Sequence, residues 1–134
     1  MAYTLLDHTA DAYVLCEAGT LEECFACAAY AMYDQMVDAS LVSPTERVDV
    51  SVGGGTLEER LFNLLSEFIF ITDVDGLVFS SFEVRFDGDR VECVAMGEPL
   101  DLKRHRPKTE VKAVTYHGME IDPDAPSVAV LFDL

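Results

Sequence analysis

Two copies of one helix-start signal divide this chain. Thr20-Leu21-Glu22-Glu23 and Thr56-Leu57-Glu58-Glu59 both read as capping boxes, in which the threonine hydroxyl takes an orphan amide and the glutamate reaches back. Behind the first, Leu21, Cys24, Phe25, Ala28, Ala29 and Met32 recur at helical spacing, and the pattern ends near Met36. Behind the second, Leu57, Leu61, Leu64, Leu65, Phe68, Ile71 and Thr72 share one face, and the helix stops before Asp75-Gly76, where glycine suits a left-handed cap. From Leu77 onward the apolar period falls to two. A chain that changes period in this way segregates helix from strand, and this limits it to an α+β fold.

Alternation predicts strands over 3–6, 12–18, 46–52, 78–86, 90–96, 110–117 and 127–134, with a hairpin turn at Asp87-Gly88. The polar excursion from Gly97 to Pro107 has room for a short helical turn. We therefore expect two helices packed on a mostly antiparallel or mixed sheet of about seven strands, forming one domain over residues 1–134. Neither an internal repeat nor a low-complexity tract is evident.

Charge narrows the partners. Twenty-five acids face nine bases, a formal net charge of −16, while half the residues are apolar. That apolar content, with its clear periodicity, argues against disorder. The acidity argues against a direct high-affinity grip on nucleic acid, which needs clustered Lys and Arg, and against anionic membrane. A cation, a metal or a basic protein surface fits better. Low lysine with abundant aspartate suits a protein kept soluble in concentrated salt, which screens self-repulsion. There is no apolar run long enough for a membrane span, and Met1-Ala2-Tyr3-Thr4 lacks the basic and apolar regions of a signal peptide. Cys24-x-x-Cys27 resembles half of a zinc or redox motif, but it lies within a helical pattern and no second pair stands at ligand spacing. Cys16, Cys24, Cys27 and Cys93 read instead as small buried thiols in a cytoplasmic protein.

Catalytic signatures are scarce. The chain contains no G-x-S-x-G elbow, H-E-x-x-H, P-loop or G-x-G-x-x-G. Gly53-Gly54-Gly55-Thr56 precedes a helix, but lacks the lysine of a P-loop and reads as a connector. A strand ending in Asp133-Leu134 sets a side-chain carboxylate beside the main-chain carboxylate, and Asp11 stands where it could approach the same point. Such all-oxygen donors suit Ca²⁺ or Mg²⁺ rather than zinc, whereas the alternative for a terminal Asp-Leu is a solvated tail. Lys112 lies in the predicted strand over 110–117, where alternation groups it with Glu110, Val114 and Tyr116. The only basic concentration is Lys103, Arg104, His105, Arg106 and Lys108, five of the twelve Lys, Arg and His residues. It reads as a solvated loop or as a contact for phosphate or an acidic partner.

Several runs, taken in order, resemble the archease family. They are His8-Thr9-Ala10-Asp11, Leu21-Glu22-Glu23-Cys24-Phe25 leading to Ala28-Ala29-Tyr30-Ala31-Met32, and Gly76-Leu77-Val78-Phe79. Gly97-Glu98-Pro99-Leu100-Asp101 with Arg104-His105 follows, then Glu110-Val111-Lys112-Ala113-Val114-Thr115-Tyr116-His117, Met119-Glu120-Ile121 and Val130-Leu131-Phe132-Asp133-Leu134. The resemblance covers essentially the whole chain. It implies a non-enzymatic helper of the GTP-dependent tRNA-splicing RNA ligase, promoting guanylylation of the ligase's active-site histidine, permitting multiple turnover and broadening nucleotide use. It also implies a divalent cation, seen as calcium in the family, with Mg²⁺ or Mn²⁺ as alternatives. Carried over, the ligands are Asp11, Asp133 and the terminal carboxyl group of Leu134; His8, Lys112 and His117 are candidates for support or docking. The rival readings are a small metal-dependent hydrolase using His8, Asp11 and His117, and a general chaperone.

Overall fold

The structure is a computed structural model, and it describes residues 2–6 and 11–134. Both capping threonines do what their spacing requires. Thr20 and Thr56 are extended, and each hydroxyl accepts the amide three residues on, Glu23 and Glu59, at 3.1 Å. Helix α1 then runs Leu21–Met36 and α2 runs Leu57–Asp75. Glu59 reaches back to the Gly55 amide at 3.0 Å, one residue before the cap itself. Gly76 closes α2 in the left-handed region at φ 69°, its amide bonded to the Thr72 carbonyl.

The described residues form seven strands: β1 Thr4–Leu6, β2 Asp11–Glu17, β3 Glu46–Gly53, β4 Leu77–Asp87, β5 Arg90–Pro99, β6 Ala113–Asp122 and β7 Ser127–Asp133. Every pairing among the described residues is antiparallel, where a mostly antiparallel or mixed sheet was expected. The strands divide into two sheets rather than one: β1-β2-β7-β6 and β3-β5-β4. Helix α1 packs on β4 of one sheet and on β2 and β7 of the other, and α2 spans β6 and β3. The helices therefore join the sheets and bury one hydrophobic cluster between them. No described helix is long and apolar enough to cross a membrane.

An aromatic knot holds the centre. Tyr33 of α1 meets Phe68 of α2 edge-on at 6.1 Å and Phe79 of β4 at 5.6 Å, and it stacks on Phe82 at 5.9 Å. The Tyr33 hydroxyl, fully buried, bonds to the Phe68 carbonyl at 3.1 Å and to the Thr72 hydroxyl at 2.7 Å. Burial pushes its phenol far above the ordinary range. The four cysteines are buried free thiols.

Gly97 lets β4 and β5 lie together where β4 bulges between Phe79 and Ser81. A Cβ there would stand 1.9 Å from the Val78 carbonyl oxygen, so no other residue fits without moving backbone. The close approach carries β5 three residues beyond its predicted end, into Gly97, Glu98 and Pro99. The predicted strand over 110–117 is corrected in the opposite sense. Just before it, the Lys108 and Thr109 amides bond to the Met36 and Gln35 carbonyls, so the approach to this strand is tied to the end of α1 and β6 begins only at Ala113.

Candidate functional site

Pairing of β2 with β7 places Asp11 directly opposite Asp133, and pairing of β6 with β7 places Ala113 on Asp133's other side. Residues 122 apart in sequence thus share one cross-strand row. Opposed residues in an antiparallel pair project to the same face, where two like charges are unfavourable unless a cation stands among them. In β2 the core face belongs to Ala12, Val14 and Cys16, so Asp11 lies on the opposite face with Tyr13 and Leu15. Asp133 is exposed and Asp11 half-buried.

Lys112 is exposed and lies just before β6, not within a strand as expected, so its predicted grouping with Glu110 and Val114 does not apply. Its amide donates to the Asp133 carbonyl at 2.8 Å, which brings its backbone to the acidic row. His117 is exposed in the irregular stretch of β6 between Thr115 and Glu120. There Gly118, at φ 71°, presents its carbonyl to the Tyr13 hydroxyl. Tyr13 lies two residues from Asp11 on the same face, and its side chain reaches across β7 to the residue after His117, which is itself on β6 and away from the Asp11–Asp133–Ala113 row. His8 lies outside the described residues. Among the described residues, no three His, Cys, Asp or Glu side chains gather into a metal cage. What this end of the sheet offers is two carboxylates, Asp11 and Asp133, and the main-chain oxygen of Leu134 beyond them. Such a donor set has the chemistry of a hard-cation site.

A second polar cluster was not legible as a site. Glu98, 8% exposed, accepts the Arg104 guanidinium at 2.6 Å on one oxygen. Its other oxygen takes the Ser43 amide at 2.7 Å and His105 Nε2 at 2.8 Å. His105 is fully buried, and its Nδ1 accepts the Asp101 amide at 2.9 Å, so Nε2 carries the proton and donates to Glu98. Arg104 above all, then the Ser43 amide and His105, hold the Glu98 carboxyl down to about 2. His105 is therefore an internal anchor and not part of the exposed basic run. The available signal was an acid between Gly97 and Pro99, followed by Arg104-His105, but chain proximity alone does not reveal burial.

Two antiparallel sheets joined by two helices form a fold already seen in solved structures. The solution structure of Methanobacterium thermoautotrophicum protein 1598 matches with a TM-score of 0.83 at 34% identity, covering 98% of both chains. The crystal structure of an archease, described as a possible chaperone, from Thermotoga maritima matches with a TM-score of 0.65 at 20% identity and shares the fold. The family model described as "Archease protein family (MTH1598/TM1083)" matches residues 3–134, and the chain belongs to that family. Protein archease of Pyrococcus abyssi is 41% identical over 93% of this chain and 92% of its own length. Protein archease of Ictalurus punctatus is 35% identical over 98% of this chain and 85% of its own length.

Proposed function

We propose that this protein is a non-catalytic activator of the GTP-dependent tRNA-splicing RNA ligase, promoting guanylylation of the ligase's active-site histidine and repeated turnover. It also broadens the ligase's nucleotide use. It works in the cytoplasm, where its four buried thiols stay reduced. Family membership supports the helper role, and the single observation carrying the site is the cross-strand pairing of Asp11 with Asp133.

In this reading Asp11, Asp133 and the main-chain oxygen of Leu134 hold a divalent cation, Ca²⁺ by preference and Mg²⁺ or Mn²⁺ as alternatives. When bound, the cation supplies positive charge for nucleotide phosphates near the ligase's pocket. The protein's own part is positional: β7, which carries Asp133, pairs in register with β2, which carries Asp11, so the carboxylates share one end of the sheet. Lys112, tied through its amide to Asp133, supports or docks that edge, and His8 and His117 serve as further docking residues.

The test mixes the protein with stoichiometric ligase, RNA ends and GTP. Guanylylated ligase and many turnovers are expected with the protein present, with no product from the protein alone. Asp11→Ala and Asp133→Ala are expected to abolish both Ca²⁺ binding by calorimetry and the stimulation. Product without ligase identifies a hydrolase or other enzyme instead. Suppression of aggregation of unrelated clients, with no effect on the ligase, identifies a chaperone. Stimulation that survives both substitutions removes the site assignment.

A further inference from the structure

The segment 100–112 lies outside the sheets, yet it is held rigidly. Glu98, Arg104 and His105 lock its first half from inside. Backbone bonds tie it at five places: Leu100 to Gly76, His105 to Asp38, Lys108 to Met36, Thr109 to Gln35 and Lys112 to Asp133. A connector of this length is uncommon unless it is functional or disordered, and this one is ordered by buried polar anchors. Between Leu100 and Glu110, every residue except His105 is exposed.

What the loop displays is unlike the rest of the surface. Four of the chain's nine Lys and Arg residues stand at 103, 104, 106 and 108. Arg104 is engaged by Glu98 and Asp101, and Lys108 lies 3.7 Å from Asp34. Lys103 and Arg106 are exposed and have no ion pair among the described residues, although Arg106 stands near enough to Asp38 to help hold its carboxyl down. Arg106 holds φ 53°, a left-handed backbone that non-glycine residues rarely adopt and that concentrates at functional positions. Interleaved with the bases are two exposed leucines, Leu100 and Leu102, the latter 70% exposed. Leu100 also forms a wall of a cleft of about 340 Å³ between the ends of α1 and α2 and this loop, shared with Met36, Val78, Pro107 and Val111. Lys108 stands in that cleft's wall, and so do Asp73 and Glu110.

We infer that this loop and cleft form a docking surface for an acidic polypeptide segment carrying an apolar anchor. The anchor enters the cleft beside Leu100, and the carboxylates meet Lys103, Arg106 and Lys108. Charge complementarity selects the occupant, because this loop gathers four of the nine Lys and Arg residues of a chain whose net charge is −16. A nucleic-acid strand fits less well. The exposed part of the loop carries no aromatic side chain on which a base could stack, and the surrounding acidity repels a polyphosphate. The inference does not depend on the metal-site reading.

The test uses fluorescence anisotropy with the full chain and three labelled probes: an acidic peptide with one central leucine, the same peptide with serine in that place, and a uridine oligonucleotide of equal charge. The leucine peptide is expected to bind saturably, and the serine peptide about tenfold more weakly, the scale of one buried aliphatic anchor. The oligonucleotide is expected to bind more weakly than either. Lys103→Glu with Arg106→Glu should weaken the leucine peptide by about tenfold or more, whereas Arg85→Glu, on exposed β4, should leave it unchanged. All three positions are exposed, and circular dichroism checks that the fold persists. Absence of saturable binding, indifference to the double substitution, or preference for the oligonucleotide would each overturn the inference.

Discussion

Replacing Gly97 with alanine gives the most direct test of how the sheet next to the basic loop is built. The added Cβ would lie 1.9 Å from the Val78 carbonyl oxygen and 2.8 Å from both the Val78 carbonyl carbon and the Phe79 Cα. All three are backbone atoms, so no rotamer relieves the contact; β4 and β5 must separate by more than an ångström to restore an ordinary distance. The separation falls beside the Val78–Glu98 pair and the bulge, where ladder bonds would lengthen or break. Overpacking of a well-packed region costs about 1–3 kcal/mol, and loss of buried backbone bonding adds to it, so we expect about 3 kcal/mol. Unfolding entropy of roughly 2.1 cal/mol/K per residue gives this chain about 0.28 kcal/mol/K, so the melting temperature should fall by about 10 °C. The control is Gly53→Ala. Its Cβ would meet the flexible end of Arg90 at 3.2 Å, which can swing away, and the change should stay within about 0.5 kcal/mol. Melting both variants by circular dichroism in one buffer decides the matter. Equal shifts, or a Gly97→Ala shift below about 3 °C, would refute the close-approach argument.

Other consequences follow from the anchors and the charge. The Glu98 carboxyl is depressed from 4.5 to about 2 in the folded protein, so its stabilisation is complete above pH 4.5 and disappears as pH falls toward 2. Urea midpoints between these values should decline less steeply with acid in Glu98→Gln than in the parent. Tyr33→Phe keeps the aromatic packing and loses the buried hydroxyl's bonds to Phe68 and Thr72. Thr72 can turn its hydroxyl to the Phe68 carbonyl, so the loss should be about 1 kcal/mol, a drop of about 3–4 °C by calorimetry. Finally, a −16 chain should melt at higher temperature as KCl rises and screens self-repulsion; a melting temperature flat in salt would count against charge as the limiting factor.

Local signals in the chain were sufficient for its local structure. The two threonine caps, the 3,4 spacing behind them and Gly76 determine both helices to within a residue, because capping and amphipathicity act over a few neighbouring positions. Alternation likewise located all seven strands, and the runs that resemble archeases pointed to the family. Tertiary structure decided what depends on partners far along the chain. Alternation states which face a residue takes, not which strand it will pair with, so the division into two sheets and the opposition of Asp11 to Asp133 emerge only from the folded register. The stretch 110–112 has the period of a strand, but the chain just before it is bonded to the end of α1 through the Lys108 and Thr109 amides, and β6 begins only at Ala113. His105 sits in the most basic run of the sequence and is nevertheless buried, because Glu98 and the Asp101 amide satisfy both ring nitrogens and remove the cost of desolvation. Periodicity and capping belong to the chain alone, whereas burial of a polar group is decided by whatever the fold brings to meet it.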